Sequence, residues 1–189
     1  MTSSNGLTAV VLAGGAGRRV GGRDKGLIEW RGKPLAAHVC ERLRPQVNEL
    51  LISCNRNAEA YQALAPRIVT DRRSGYQGPL AGLEACAEYV TTPYLIVASC
   101  DTPLLPPDLA ARLLAPLRAD GGDSSVCFAS DGERDHYLLA ALRRDCLQTL
   151  EIYLNSGQRA VRHWYRQFNP LRVDFSDSKH CFENLNTLR

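Results

Sequence analysis

Thr8–Ala13 (TAVVLA), Glu49–Cys54 (ELLISC) and Tyr94–Ser99 (YLIVAS) are short runs of aliphatic and β-branched residues with no polar alternation through their middles. A strand that is apolar on both faces has to be covered on both faces, as strands of parallel sheets are. Arg67–Thr70 reads as a further short strand. Between these runs the apolar period changes. Leu35, Val39 and Leu43 are spaced four apart behind Pro34, and Leu109, Leu113 and Leu117 follow Pro106 and Pro107. Both patterns predict helices. Ala58–Leu64 and Pro79–Tyr89 are read as helices as well. Alternation of strand and helix predicts an α/β fold: a three-layer, Rossmann-like single domain over residues 1–189, with a mainly parallel sheet and helices on both faces.

The last third is less regular. Ser125–Ser130 and His136–Ala141 are expected strands joined by the polar turn Asp131-Gly132-Glu133-Arg134, either as a hairpin or within the main sheet. Asp145–Leu154 is expected to be helical. Val161, Trp164, Tyr165 and Phe168 recur at helical spacing, which predicts core packing. Asn169-Pro170 ends that helix, and Leu171–Phe175 is the final expected strand.

Bulk properties exclude several partners. The net charge of +3 over 189 residues is too small to point to nucleic acid. No apolar run approaches the roughly 20 residues that span a bilayer. Met1–Leu7 lacks the charged and apolar regions of a secretory leader. The seven cysteines form no C-x-x-C pair and several sit in apolar runs, so they are read as reduced core thiols. A cytoplasmic monomer that touches neither membrane nor nucleic acid is the expectation.

Ligands of open parallel sheets bind beyond the carboxyl ends of the strands. There the first strand delivers Gly14 and Gly15, the second Asn55, the third Asp71 and the fourth Asp101. The loop Leu12–Gly26 (LAGGAGRRVGGRDKG) crowds glycines, three arginines and Lys25 onto one strand end, a composition suited to phosphate. It is not a dinucleotide fingerprint, because Val20 stands at the third glycine position. Nor is it a Walker A loop, because Arg23-Asp24 follows Gly22. A lone carboxylate such as Asp101 suits Mg²⁺, which takes one or two protein carboxylates and completes its shell with phosphates and water. Asp71 is either a second cation ligand or an acceptor for guanine N1–H and N2–H₂, with a turn residue as the bland reading. Asn55 offers a donor and an acceptor to a base or ribose, or stabilises a turn. Gly78-Pro79-Leu80-Ala81-Gly82 opens a helix whose small residues permit close approach of a ligand. Arg159 and Arg162, beside Gly157, would either contact an acceptor phosphate or form a solvated face. Asn184 and Asn186 place two amides at alternate positions, for an acceptor's amide-like edges or as part of a polar tail.

In order and at similar spacing, LAGGAGRRVGGRDKGL, GKPL, ISCNRN, GPLAG, CDTPLLPPDL and ENLNT resemble the molybdenum cofactor guanylyltransferases, the MobA branch of the nucleotide-diphospho-sugar-transferase-like nucleotidyltransferases. The resemblance implies GMP transfer from GTP to the terminal phosphate of a molybdopterin cofactor. It places GTP contacts on Leu12, Ala13, Gly14, Gly15, Gly22, Lys25, Asn55, Asp71, Gly78, Gly82 and Asp101, and Mg²⁺ on Asp101. It implies catalytic roles for Lys25, Arg19 and Asp101, and acceptor contacts for Asn184 and Asn186. It also implies a nucleotide-binding part over about 7–105, an acceptor-binding part over about 106–189, and contacts with other cofactor-assembly proteins. Where the family continues its last motif with Pro-Glu-Asp-Leu, this sequence reads Leu188-Arg189. The competing readings are a cytidylyltransferase for the same cofactor, a nucleotidyltransferase for another phosphorylated small acceptor, and a GTP-binding cofactor carrier without turnover.

Overall fold

The computed structural model describes residues 6–15 and 22–183. Its strands are β1 (Leu7–Leu12), β2 (Glu29–Trp30), β3 (Lys33–Pro34), β4 (Glu49–Ser53), β5 (Arg67–Val69), β6 (Tyr94–Ser99), β7 (Val126–Ser130), β8 (Asp135–Arg143) and β9 (Leu171–Asp174). Its α-helices are α1 (Leu35–Leu43), α2 (Ala58–Gln62), α3 (Pro79–Cys86), α4 (Leu109–Ala119), α5 (Leu150–Asn155) and α6 (Val161–Tyr165). Seven strands form one sheet in the order β5-β4-β1-β6-β8-β7-β9. Within it only β8 runs against its neighbours: β5, β4, β1 and β6 pair in parallel, and so do β7 and β9.

The period-two alternation of a strand explains why both faces need a cover. Along β1, Ala9 and Val11 pack with α1 and α4, through Val39, Leu43, Leu109 and Leu113. Val10 and Leu12 point the other way, toward Leu80 and Leu83 of α3, Leu150 and Leu154 of α5, and Trp164 and Tyr165 of α6. The three expected layers are therefore present. Six of the cysteines are buried, Cys181 is half-buried, and all seven are free. Burial pushes the thiols of Cys40, Cys86 and Cys100 up to about 12, so these groups are packing atoms and poor nucleophiles.

The structure departs from the sequence expectations in several places. The helix expected over Pro79–Tyr89 is α-helical to Cys86 and closes with a 3-10 turn, Ala87–Tyr89. The expected helix Asp145–Leu154 is 3-10 over Arg144–Thr149 before α5 begins. The short hairpin β2–β3 was not expected; Arg31 and Gly32 turn it with φ of 50° and 78°. Two residues per strand leave no run long enough for a period to show. Both readings of the Asp131 turn hold, since β7 and β8 form a hairpin and β8 joins the main sheet beside β6.

Helix α3 lies so close to the sheet that a Cβ at Gly82 would collide with the Ser53 hydroxyl and approach Leu12 Cδ2 to 3.3 Å. Substitution Gly82→Ala is expected to cost about 1–3 kcal/mol by overpacking. It should lower the melting temperature by several degrees, at about 2–4 °C per kcal/mol for a domain of this size, in a calorimetric comparison with the parent protein.

Candidate nucleotide-binding site

Three pairings set the site level across four strands. Leu12 stands opposite both Ser53 and Ser99, and Ser53 stands opposite Val69. Each of these residues ends its strand. Gly14, Asn55, Asp71 and Asp101 each lie two residues further on, so the pleat that carries the strand ends carries them too. Backbone bonds extend the ladder one step past the strands: Ala13 N donates to Ser53 O (2.8 Å), Cys54 N to Val69 O (2.9 Å) and Cys100 N to Leu12 O (3.2 Å).

At this edge a cavity of about 350 Å³ is lined by Leu12, Ala13, Gly14, Gly15, Lys25 and Ser53, and by Asp71, Tyr76, Gly78, Pro79, Gly82, Ser99, Cys100 and Leu138. That volume lies in the range of small-molecule sites, about 300–1,000 Å³. Lys25 Nζ is ion-paired with Asp101 Oδ2, and Ser99 Oγ donates to Asp101 Oδ1 (2.5 Å). Asp101 is 8% exposed and lies behind the cavity wall, where Lys25 and Ser99, which both line the cavity, hold its carboxylate.

Asn55 spends its amide inside the protein. Its Nδ2 donates to Gly14 O (3.1 Å) and Asp71 Oδ2 (2.8 Å), and its Oδ1 accepts from the Asp71 backbone N–H (3.0 Å). It joins three strand ends and, like Asp101, is not among the residues that line the cavity. Asp71 does line the cavity; burial raises its carboxyl above the ordinary range, against the lowering effect of donation from Asn55 and Ser53. Arg159, read as an acceptor contact, donates to Gln77 Oε1 (2.8 Å), Leu154 O (2.7 Å) and Gln158 O (2.6 Å). It straps the segment after α5 to the loop that precedes Gly78. Arg19, Asn184 and Asn186 lie outside the described residues, and Gly22 lies within them with φ of 78°.

The loop's far leg is anchored by residues that the sequence did not single out. Asp24 Oδ1 accepts from Tyr61 Oη (2.6 Å) and its Oδ2 from Asn57 Nδ2 (3.0 Å). Arg56 donates to the carbonyls of Gly22 (2.6 Å) and Arg23 (2.8 Å). Gly26 fits against Tyr61 because it has no Cβ. Helix α2 and the turn before it thereby fix the residue beside Lys25. Leu138 reaches the cavity wall next to a β-bulge. Phe128 pairs with Ala140 and Ala129 with His136, so three residues of β8 have no partner on β7. Bulges re-aim side chains in this way near functional sites.

Residues 9–172 match the profile of the MobA-like NTP transferase domain. The chain is 41% identical to the molybdenum cofactor guanylyltransferase of Shewanella pealeana over 181 residues, covering 96% of this chain and 90% of that one. Among solved structures it resembles the molybdopterin-guanine dinucleotide biosynthesis protein A of Archaeoglobus fulgidus (TM-score 0.75, 23% identity, 95% of this chain and 92% of that one). It also resembles 4-diphosphocytidyl-2C-methyl-D-erythritol synthase of Anaerococcus prevotii (TM-score 0.76, 9% identity, 97% and 92%). At these identities the two structural likenesses speak for the fold alone.

The Tyr61–Asp24 bond joins a hydroxyl to a carboxylate whose side chain is only 5% exposed. Removing the hydroxyl with Tyr61→Phe should cost about 1.5–3 kcal/mol, the range for hydrogen bonds to charged groups. Urea denaturation of the two proteins measures it, and an unchanged midpoint would remove Tyr61 from the anchor.

Proposed function

The chain belongs to the MobA-like NTP transferase family, and on that premise we propose that it transfers GMP from GTP to the terminal phosphate of a molybdopterin cofactor, releasing pyrophosphate. The observation that carries the catalytic assignment is the Lys25–Asp101 ion pair beside a cavity walled by the loop glycines Gly14 and Gly15.

In the proposed reaction an oxygen of the acceptor phosphate attacks the α-phosphorus of GTP in line. A new P–O bond forms, the bond from the α-phosphorus to the bridging oxygen breaks, and its electron pair leaves on pyrophosphate. Such transfers are driven mainly by positioning and charge stabilisation. A phosphate acceptor is ionised near neutral pH, so no general base is required. Lys25 faces the charge that builds up on the transferring and leaving groups. Gly14 and Gly15 let the phosphates approach the backbone closely, and Arg19 adds positive charge to the same loop. Asp71 accepts hydrogen bonds from the guanine edge, while Asn55 holds Asp71 and Gly14 in register. Leu12, Ala13, Gly78 and Gly82 wall the nucleotide. Asn184 and Asn186 contact the acceptor.

The donor set fits Mg²⁺. Among the described residues no group of three His, Cys, Asp or Glu side chains converges as a metal cage. A single carboxylate with substrate phosphates and water is what Mg²⁺ accepts. Asp101 would hold it, oriented by Ser99, and the bound cation supplies charge neutralisation to the triphosphate. With nucleotide bound, Lys25 would turn from its ion pair with Asp101 to the phosphates, leaving the Asp101 carboxylate to hold the cation.

Pyrophosphate release with molybdopterin cofactor, Mg²⁺ and either GTP or CTP tests the assignment; turnover with CTP in place of GTP would overturn the nucleotide. Asp101→Ala should keep its fold and lose at least about 100-fold in turnover, the scale of losing one well-placed charge-stabilising group. Chelation by EDTA should abolish turnover and added Mg²⁺ restore it. Because burial raises the Asp71 carboxyl, its acceptor form is lost as pH falls through that raised value. GTP affinity should therefore weaken at a pH above the ordinary carboxylate range, near 4. Asp71→Asn should bind more weakly and lack that acid limb in calorimetric titrations.

A further inference from the structure

Tyr76 is one of two large hydrophobic side chains left exposed among the described residues, at 48%, and it lines the nucleotide cavity. Its backbone sits in the left-handed region with φ of 51°, a conformation that is unfavourable for a residue with a Cβ. Glycine or asparagine would serve a plain loop tip at lower cost. Such conformations persist where the surroundings over-determine them, and they cluster at ligand sites. Here the surroundings do so from both sides. Arg73 forks onto Glu84 of α3, from Nε to Oε2 (2.6 Å) and from Nη2 to Oε1 (2.6 Å), and reaches Asn155 of α5 with Nη1 (2.9 Å). On the other side Gln77 accepts from Arg159 (2.8 Å) and donates to the Ser74 carbonyl (2.9 Å). Two arginines thus brace the loop before and after an aromatic ring that no core packing requires.

The rest of the cavity wall suits a flat ring. Gly14, Gly15, Gly78 and Gly82 present backbone only, Leu12, Ala13, Pro79 and Leu138 present apolar surface, and Asp71 presents a carboxylate. An acceptor for the edge of a base and an aromatic face for its plane are the two contacts by which proteins hold nucleobases. The structure assigns Tyr76 the second of these: we propose that its ring stacks on the nucleobase of the bound nucleotide and favours the larger face of a purine over a pyrimidine. This rests on the GTP reading above. It goes beyond it by naming a specificity-determining side chain and by giving the Arg73–Glu84 and Arg159–Gln77 bonds a positioning role.

The test uses the full chain with Tyr76→Phe, Tyr76→Ala and Tyr76→Gly. GTP and CTP dissociation constants are measured by calorimetry, and pyrophosphate release is measured in parallel. Loss of a base-stacking ring is expected to raise Kd and KM for GTP about tenfold in the Ala and Gly variants. The maximal rate should stay within about twofold, and the GTP-over-CTP ratio of kcat/KM should narrow. The Phe variant keeps the ring and should match the parent within about twofold. Glycine relieves the left-handed backbone, so the Gly variant should melt at or above the parent temperature, and its weaker binding is then not misfolding. Unchanged GTP Kd in both truncations would overturn the proposal. So would a Phe variant as weak as Ala, or a rise in KM confined to the acceptor, which would place the ring on the pterin. If the parent protein binds GTP without releasing pyrophosphate, the transfer reading fails while the Kd comparison still decides the stacking.

Discussion

The register of the parallel ladder β5-β4-β1-β6 is the constraint on which the site depends. With Leu12 level with Ser53 and Ser99, and Ser53 level with Val69, the positions two residues on are level as well. That alone brings a glycine, an amide and two carboxylates from separate parts of the chain to one edge. A slip of one residue in any of these strands would turn its side chains to the opposite face. The two-sided core forbids such a slip, because Val10 and Leu12 fill one layer and Ala9 and Val11 the other. Burial on both faces, which first identifies the fold, is therefore also what aligns the chemistry.

Around this edge the side chains of the cavity are held by hydrogen bonds from others. Tyr61, Asn57 and Arg56 fix Asp24 and the carbonyls at Gly22 and Arg23, so Lys25 leaves an anchored stretch of chain. Asn55 ties Gly14 to Asp71, and Arg73 and Arg159 brace the loop carrying Tyr76. Most of these bonds involve an ionised donor or acceptor, the stronger class of hydrogen bond. Without these bonds Asp24 and the carbonyls of Gly22 and Arg23 would lose positional precision to conformational entropy.

Much of this was legible in the residues. TAVVLA, ELLISC and YLIVAS correspond closely to β1, β4 and β6, and Gly14, Asp71 and Asp101 stand where strand ends were expected to deliver them. The signals were strong because burial on both faces suppresses polar residues, and because glycines and charges rarely crowd a strand end without a ligand to meet. Harder to see were the β2–β3 hairpin, too short for any period, and the bulge that leaves Leu138 at the cavity wall. Arg56 and Tyr76 were each within two residues of a recognised position. Nothing in their spacing separated them from ordinary loop residues.

The sequence by itself determined the elements, their layering, the phosphate-suited loop and the family to which the chain belongs, since these depend on local pattern and on contiguous motifs. The tertiary structure decided which side chain meets which. It made Asn55 a tie between strand ends, and Gly82 a packing position against Ser53 as well as a cavity wall. It took Arg159 into a strap on Gln77, and revealed Asp24 as the anchor for the residue next to it. Each of these pairs is separated by 16 to 82 positions along the chain or depends on how closely two layers approach. Only the folded register brings their atoms within hydrogen-bonding distance.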